Sequence, residues 1–178
     1  LKPFNEKDKK IKNYFHLGYS PERINPGDQK HSLKNVTKII SSNNKKTISK
    51  IKNIYNPIVN SKLYVVNKIK IAEAAKMLEN VQRDVNIALV NQAQMIFDKI
   101  NIDTLEVIKA AKTKWNFAPF YPGLVGGHCV SVDPYYFSEL AKKLKVDRRV
   151  ILTGRNTNNS MPNYYAKNLI ANKLKKSK

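Results

Sequence analysis

The sequence contains one cysteine, six glycines and no long apolar run among its 178 residues. A single cysteine excludes an internal disulfide, so Cys129 is either a small buried side chain or a working thiol. No segment approaches the roughly 18 apolar residues that a membrane span requires, and the N-terminal stretch LKPFNEKDKKIKNYF lacks the apolar core of a signal peptide. We therefore expect a cytoplasmic protein with one complete hydrophobic core and, at most, part of a second.

Acidic residues are also scarce, because 13 Asp and Glu against 33 Lys and Arg give a formal net charge of +20. Nucleic acids attract such a charge when the cations are clustered. Here the lysines are scattered among asparagines, only KDKKIK and LKKSK form local clusters, and no nucleic-acid recognition motif accompanies them. A solvated basic surface is the favoured interpretation, with nucleic-acid binding as an alternative.

The first third of the sequence has an α/β pattern. Short strand candidates lie at residues 14–17 and 62–66, and between them a weak strand and a polar loop precede a helix that stops before Pro57. These strands are too few to close a sheet.

From Lys68 onwards the pattern is helical. Apolar residues recur at helical spacing for about thirty residues without proline or glycine. At 1.5 Å per residue this helix is roughly 50 Å long, which exceeds the core of one small domain. Such a length suits a helix that crosses between domains or pairs with another subunit.

Three further helices complete the second two-thirds of the chain. Asp103 and Glu106 have the spacing of an N-cap and its reciprocal partner. Asp133 precedes Pro134 as an N-cap precedes a proline at the first helical position. A last helix is predicted at residues 149–174.

The segment PGLVGGHCVSVDPYY, residues 122–136, holds three of the glycines and the cysteine. Glycines let backbone N–H groups approach a ligand, and prolines limit the ordering entropy lost on binding. Cys129, next to a histidine and near a helix N-terminus, is a candidate nucleophile. The alternative is a glycine-rich connection with an inert buried cysteine. Zinc is disfavoured, because one cysteine and three dispersed histidines do not readily supply four ligands.

A second polar cluster lies on the long helix. Lys76 and Asn80 are four residues apart and therefore share a face, which Glu73 and Arg83 continue. Taken alone this stripe is a solvated helix face, and the SPER segment is a simple turn.

Five segments, read together, resemble a known family. In order and spacing, GYSPERINPGD, KIAEAAKMLENVQRDVNIALVNQ, TKWNF, PGLVGGHCVSVDPYY and ILTGRNTNNSM are similar to the UDP-glucose/UDP-mannuronate dehydrogenases. The resemblance covers residues 14–172 and is strongest to the branch that oxidises UDP-N-acetylglucosamine or UDP-N-acetylgalactosamine for capsule and O-antigen synthesis. It leaves the two epimers open. It implies NAD as cofactor and oxidation of the sugar C6 hydroxyl to a carboxylate through a cysteine thioester.

The resemblance also implies catalytic roles. Cys129 matches the nucleophile, and Lys76 and Asn80 match the groups that face the oxygen on which negative charge develops. Asp133 corresponds to a carboxylate near the thiol and a water molecule. Glu22 matches the glutamate implicated in thioester hydrolysis.

Substrate-binding residues follow from the same resemblance. The glycine-rich loop, defined here as residues 120–127, resembles the segment that closes over uridine diphosphate, and we expect Phe120, Gly123 and Gly126 to contact it. Arg155, in the GR pair, is expected to contact substrate or the neighbouring subunit.

Four positions depart from the family pattern. Pro26 replaces a second glutamate of the glucose branch, which favours the N-acetylhexosamine branch. Asn158-Asn159 replaces a frequent Asn-Asp pair, Gln92 replaces a common glutamate, and Pro162 is expected to bend the last helix.

The dinucleotide fingerprint Gly-x-Gly-x-x-Gly is absent from the sequence, so its cofactor-binding residues are not identified. We therefore expect an α/β remnant of a Rossmann-like NAD domain at residues 1–66, followed by an all-α central dimerisation domain with one long helix at 67–178. Such a fragment lacks the N-terminal fingerprint and the C-terminal UDP-binding lobe, and we expect it to be inactive alone and homodimeric. The alternative is a truncated, non-catalytic helical module that self-associates.

Overall fold

A computed structural model of the chain describes residues 16–25 and 27–176, with side chains as far as residue 171. The chain divides into two compact units between Lys76 and Met77, within the long helix. This division lies ten residues after the domain boundary predicted from the sequence.

The first unit contains a three-stranded sheet with strand order β1-β2-β3. Strand β1, Gly18–Tyr19, runs antiparallel to β2, Lys38–Ser42, and β2 runs parallel to β3, Leu63–Val66. The parallel pair is joined through helix α1, Lys45–Tyr55, as a parallel connection requires.

Local sequence explains these elements. Strand β2 is buried along its whole length, with Ile40 fully inaccessible. Helix α1 begins where the Asn44 side chain accepts a 2.8 Å hydrogen bond from the Lys46 N–H, and it ends at Tyr55, before Pro57 as predicted. The strand predicted at 14–17 is not found at residues 16 and 17, and β1 begins one residue later, at Gly18. Residues 14 and 15 lie outside the described residues.

The second unit is helical, as predicted. Helix α2, Ile69–Lys99, begins in the first unit and is followed by α3, Thr104–Ala111, α4, Asp133–Lys143, and α5, Arg149–Lys176. The predicted long helix and last helix are therefore confirmed. Helix α5 continues through Pro162, whose missing N–H leaves the Asn158 carbonyl without its helical donor.

The predicted capping box of α3 forms only in part. The Asp103 carboxylate accepts hydrogen bonds from the N–H groups of Leu105 at 2.7 Å and Glu106 at 3.3 Å. The Glu106 carboxylate, expected to reach back, instead lies 3.7 Å from the ammonium group of Lys109. Among the described residues, no helix is long and apolar enough to cross a membrane.

Candidate active site

Helix α2 carries three buried polar residues on one face. Asn80, Asp84 and Asn91 are each at most 1% exposed. Their separations of four and seven residues total eleven, which is close to three helical turns, so the three side chains are aligned along roughly 16 Å of the helix. This stripe anchors the segment that contains the cysteine.

At one end of the stripe, Asn80 holds the beginning of α4. Its Nδ2 donates a 2.6 Å hydrogen bond to Oδ2 of Asp133, and its Oδ1 accepts one from Arg83. Asp133 was predicted to cap α4, but that prediction is wrong: α4 already includes Asp133, and the preceding Val132 makes no side-chain cap. The carboxylate bonds to α2 instead of to the first turn of its own helix.

Cys129 lies on the exposed segment immediately before this anchor. Its carbonyl oxygen accepts hydrogen bonds from the N–H groups of Val132 at 3.1 Å and Asp133 at 2.9 Å, so the thiol-bearing residue is one turn from the Asp133–Asn80 contact. Gly127 supplies a positive φ of 89°, a conformation that favours glycine, and its carbonyl accepts a hydrogen bond from Ser131. Because Cys129 is exposed, the burial assumed in the alternative interpretation is wrong, whereas its role as nucleophile stays a prediction.

In the first unit, Glu22 is held as a carboxylate by its own turn. Its Oε1 accepts hydrogen bonds from the N–H groups of Arg23 at 2.7 Å and Ile24 at 2.8 Å. Its Oε2 lies 3.8 Å from the ammonium group of Lys38. Lys38 is only 6% exposed, and it also donates to the Pro21 carbonyl at 3.1 Å.

These contacts set the charge of Glu22. Burial raises the pKa of its carboxyl, but the Ile24 and Arg23 N–H groups and the positive charges of Lys38 and Lys76 together outweigh burial and lower the pKa below 4.5. Lys76 is half-buried, and its positive charge is among those that lower the pKa of Glu22. On α2 it precedes Asn80 by one turn.

The glycine-rich loop is fixed to α2 at Gly123. The Gly123 N–H donates to Oδ1 of Asn91 at 2.7 Å, and Nδ2 of Asn91 donates to the Gly123 carbonyl at 3.0 Å. Phe120 is half-buried, whereas Gly126 is exposed. A Cβ added at Gly126 would meet nothing within 4 Å, so packing among the described residues does not account for a glycine there.

Arg155 lies inside the helical unit. Its guanidinium is 1% exposed and donates to Oδ1 of Asp84 at 2.6 Å and to Oδ1 of Asn159 at 2.8 Å. Burial raises the pKa of Asp84, and a hydrogen bond from Asn158 and the charge of Arg155 partly oppose that rise. The contact with substrate or subunit expected of Arg155 stays a prediction, because its hydrogen bonds here are internal.

Sequence reasoning missed three of these buried residues as functional candidates. Asp84 and Asn91 were noted only as part of the predicted long helix, and Asn158 only as the first residue of the Asn158-Asn159 pair. The sequence signal that could have identified them was a polar side chain at a helix position that faces another helix. The buried network consists of Asp84, Asn91, Arg155 and Asn158. The exposed Asn159 accepts a hydrogen bond from Arg155 at its border.

Within the described ranges, no group of three or more His, Cys, Asp or Glu side chains is placed to hold a metal ion. Neither turn from strand to helix, β2 to α1 or β3 to α2, contains a glycine. These two turns therefore do not fit the diphosphate of a dinucleotide, whose cradle requires close backbone approach.

Comparison with known proteins gives consistent results. Residues 70–160 match the central domain of the UDP-glucose/GDP-mannose dehydrogenase family. The chain is 50% identical to the protein CapL of Staphylococcus aureus over 161 residues, and 50% identical to the UDP-N-acetyl-D-glucosamine 6-dehydrogenase of Salmonella typhi over 162 residues. These matches cover 90% and 91% of the chain but 38% of each relative.

The fold agrees with a solved structure. The UDP-D-ManNAc dehydrogenase of Pyrococcus horikoshii superposes with a TM-score of 0.78 at 32% identity, over 92% of this chain and 38% of that protein. The α/β-then-helical architecture predicted from the sequence is thus found in a nucleotide-sugar dehydrogenase.

Proposed function

Because this chain belongs to the UDP-glucose/GDP-mannose dehydrogenase family, we propose that it is the catalytic core of an NAD-dependent UDP-N-acetylhexosamine 6-dehydrogenase. The reaction converts the C6 hydroxyl of the sugar to a carboxylate, with two hydrides transferred to two NAD and one water consumed. The chain spans about 38% of the length of these two relatives. The activity is therefore proposed for the whole protein of which this chain is a part.

The observation that carries this proposal is the 2.6 Å hydrogen bond between Asn80 and Asp133. It ties the beginning of α4 to α2, and the exposed Cys129 lies one turn before that contact. A thiol on a short, anchored segment beside amide and carboxylate groups is suited to covalent catalysis.

In the proposed chemistry, Cys129 acts on the aldehyde formed by the first oxidation. The sulfur forms a bond to C6, and the carbonyl oxygen takes the electron pair. Loss of hydride from this adduct gives a thioester. Water then adds to the thioester carbon, the C–S bond breaks, and a carboxylate and the thiol are released.

Four further side chains have assigned tasks in this scheme. Lys76 and Asn80 would stabilise the negative oxygen; an amide nitrogen has two N–H donors, and one of those on Asn80 already holds Asp133. Asp133 or Glu22 would accept the proton from the attacking water, and the lowered pKa of Glu22 leaves it ionised near neutral pH.

The NAD is held, in this proposal, by a part of the protein outside the described residues, since the glycine-free turns of the first unit do not fit it. The residues of this chain supply the nucleophile, the donors and the loop that covers the nucleotide. The substrate branch is supported by the similarity to the UDP-N-acetyl-D-glucosamine 6-dehydrogenase of Salmonella typhi, and a role in capsule polysaccharide synthesis by the similarity to CapL.

The experiment is an assay of the full gene product with NAD and UDP-N-acetylglucosamine or UDP-N-acetylgalactosamine. We expect two NADH per sugar and a UDP-sugar uronate identified by mass spectrometry with one of the two epimers. A protein that is folded and binds NAD, but forms no uronate from either sugar, would contradict the proposal.

We also propose that the protein is a homodimer. Helices α2 and α5 border a cavity of about 520 Å³ whose lining includes Leu89 and Val150, which are 65% and 72% exposed. Apolar side chains on two long helices favour association with a second copy. Sedimentation of the gene product should give a dimer, and a stable monomer would contradict this.

A further inference from the structure

We propose that Asn91 is a positioning residue that sets the conformation of the glycine-rich loop before the nucleotide sugar binds. The inference rests on the proposed function, because it assigns to this loop the contact with the uridine diphosphate. Its physical basis is the pairing of the Asn91 side-chain amide with the backbone of Gly123.

The contact is bidentate and buried. Asn91 is 0% exposed, and its carboxamide both accepts from the Gly123 N–H and donates to the Gly123 carbonyl, at 2.7 and 3.0 Å. Two antiparallel hydrogen bonds to one residue fix the position and the orientation of the two peptide groups that flank Gly123. A side chain with one polar group could not do both.

The orientation of the carboxamide is fixed from behind. The second N–H of Asn91 donates to Oδ1 of Asn158 at 2.9 Å. Asn158 in turn donates to the carbonyl and Oδ1 of Asp84 at 2.9 and 2.7 Å, and Asp84 is paired with Arg155. Both donors of Asn91 are therefore used, and a rotation of the amide would break bonds at both ends.

The other end of the same segment is attached to the same face of α2. Asp133 accepts a hydrogen bond from Asn80, and the Tyr135 hydroxyl accepts one from Asn159 of α5 at 3.1 Å. Asn80 and Asn91 are eleven residues apart, so the two attachment points lie roughly 16 Å from each other along one helix face. Between them, Leu124, Gly126 and Cys129 are exposed.

This arrangement pre-orders a loop that a ligand would otherwise have to order. The conformational entropy of the loop is lost on folding and is not lost again on binding. Such an effect strengthens binding of substrate and transition state equally, so its loss raises KM and leaves kcat nearly unchanged.

The test compares Asn91→Leu with the matched control Asn86→Leu in the full gene product. Asn86 is also on α2, but its side chain donates only to the Gln82 carbonyl of the same helix. We expect KM for the nucleotide sugar to rise about tenfold in Asn91→Leu, with kcat within about twofold, and neither to change in Asn86→Leu. A fall in kcat at unchanged KM, in proportion to the loss of folded protein, would overturn the proposal.

Hydrogen exchange gives a readout that does not require activity. In the unliganded protein, the peptide covering residues 120–127 should exchange faster in Asn91→Leu than in the wild type or in Asn86→Leu. If Asn91→Leu does not fold, Asn158→Ala is the second variant, because it removes the hydrogen bond that supports the Asn91 amide and leaves the Asn91–Gly123 contact in place. We then expect a smaller rise in KM and a smaller increase in the exchange of residues 120–127.

The outcomes separate the two proposals. Equal protection of residues 120–127 in the wild type and in folded variants would overturn the positioning role even in an active enzyme. Faster exchange in Asn91→Leu, together with a folded wild-type protein that oxidises no UDP-sugar, would instead contradict the proposed function and leave the positioning role of Asn91 intact.

Discussion

Asn80 on α2 and Asp133 at the start of α4 are joined by a 2.6 Å hydrogen bond although 53 residues separate them in the chain. The bond replaces the local cap that the Asp-Pro sequence predicts. It brings a carboxylate and an amide together one turn after Cys129.

Replacement of Asp133 by asparagine should separate its charge from its position. The new amide oxygen can still accept the hydrogen bond from Asn80, so the melting temperature should change little. Turnover should fall by about 100-fold if Asp133, and not Glu22, is the carboxylate that accepts the proton from water. Thermal unfolding and kcat of the full gene product provide the two measurements.

Asp133→Leu is the companion variant, since it removes the hydrogen bond as well and should also lower the melting temperature. Asp147→Asn serves as a control at an exposed carboxylate. Wild-type turnover in Asp133→Asn would show that the charge of Asp133 has no part in the reaction.

Lys76→Met should slow the chemical step more than it weakens binding. The ammonium group is proposed to stabilise an oxygen whose charge develops during the reaction, and loss of such a group typically costs about 100-fold to 1,000-fold in kcat. KM should change much less. Lys70→Met, an exposed lysine on the same helix, is the control, and a raised KM at normal kcat in Lys76→Met would place Lys76 in binding instead.

Arg155→Met should destabilise the protein strongly, because it leaves the buried carboxylate of Asp84 without its cation. Breaking a buried pair in this way costs about 3–5 kcal/mol of unfolding free energy. The double variant Asp84→Leu/Arg155→Met should lose less than the sum of the two single variants. Denaturant unfolding measures all three.

Arg149→Met provides the comparison for that series. Arg149 also pairs with an aspartate at 2.6 Å, but its side chain is 88% exposed, so little stability should be lost. Similar losses for Arg149→Met and Arg155→Met would contradict the importance of burial. If Arg155→Met were stable and only KM rose, Arg155 would be a substrate contact as its family position implies.

Glu22 should titrate below its ordinary value of 4.5, since the pKa of its carboxyl is lowered in the folded protein. A lowered carboxyl pKa means that the ionised form stabilises the fold. This contribution is complete above the unfolded pKa and is lost as the pH falls through the folded pKa. NMR titration of the Glu22 carboxyl measures the shift.

Lys38→Met should move that midpoint upwards, because the nearby ammonium charge is removed while an apolar side chain of similar length fills the buried site. Lys50→Met, an exposed lysine on α1, should leave it unchanged. A Glu22 midpoint that is insensitive to Lys38 would mean that the backbone N–H groups alone hold the carboxylate.

Local sequence patterns predicted most of the elements. Helix α2 follows from thirty residues of apolar periodicity without a breaker, and α1 ends where Pro57 forbids continuation. Strand β1 was misplaced because a two-residue edge strand carries little pattern of its own, and its position depends on pairing with β2.

The polar network was not predictable in the same way. In the sequence alone, Asn91 and Asp84 only interrupt an apolar helix face. Their hydrogen-bond partners lie 32 to 74 residues away in the chain. Asp133 was misassigned because a favourable local motif competed with a distant partner, Asn80. Local propensity cannot rank those two alternatives without the fold.

The central claim is that the sulfur of Cys129 forms a covalent bond with the substrate carbon. The most direct measurement is the product formed by Cys129→Ser in the full gene product, with NAD and the UDP-sugar that the wild type oxidises. We predict no uronate from the variant, with any reaction stopping at the aldehyde, and a sugar-thioester mass on the peptide that contains Cys129 when the wild type is quenched during turnover. Normal uronate production by Cys129→Ser would contradict the account.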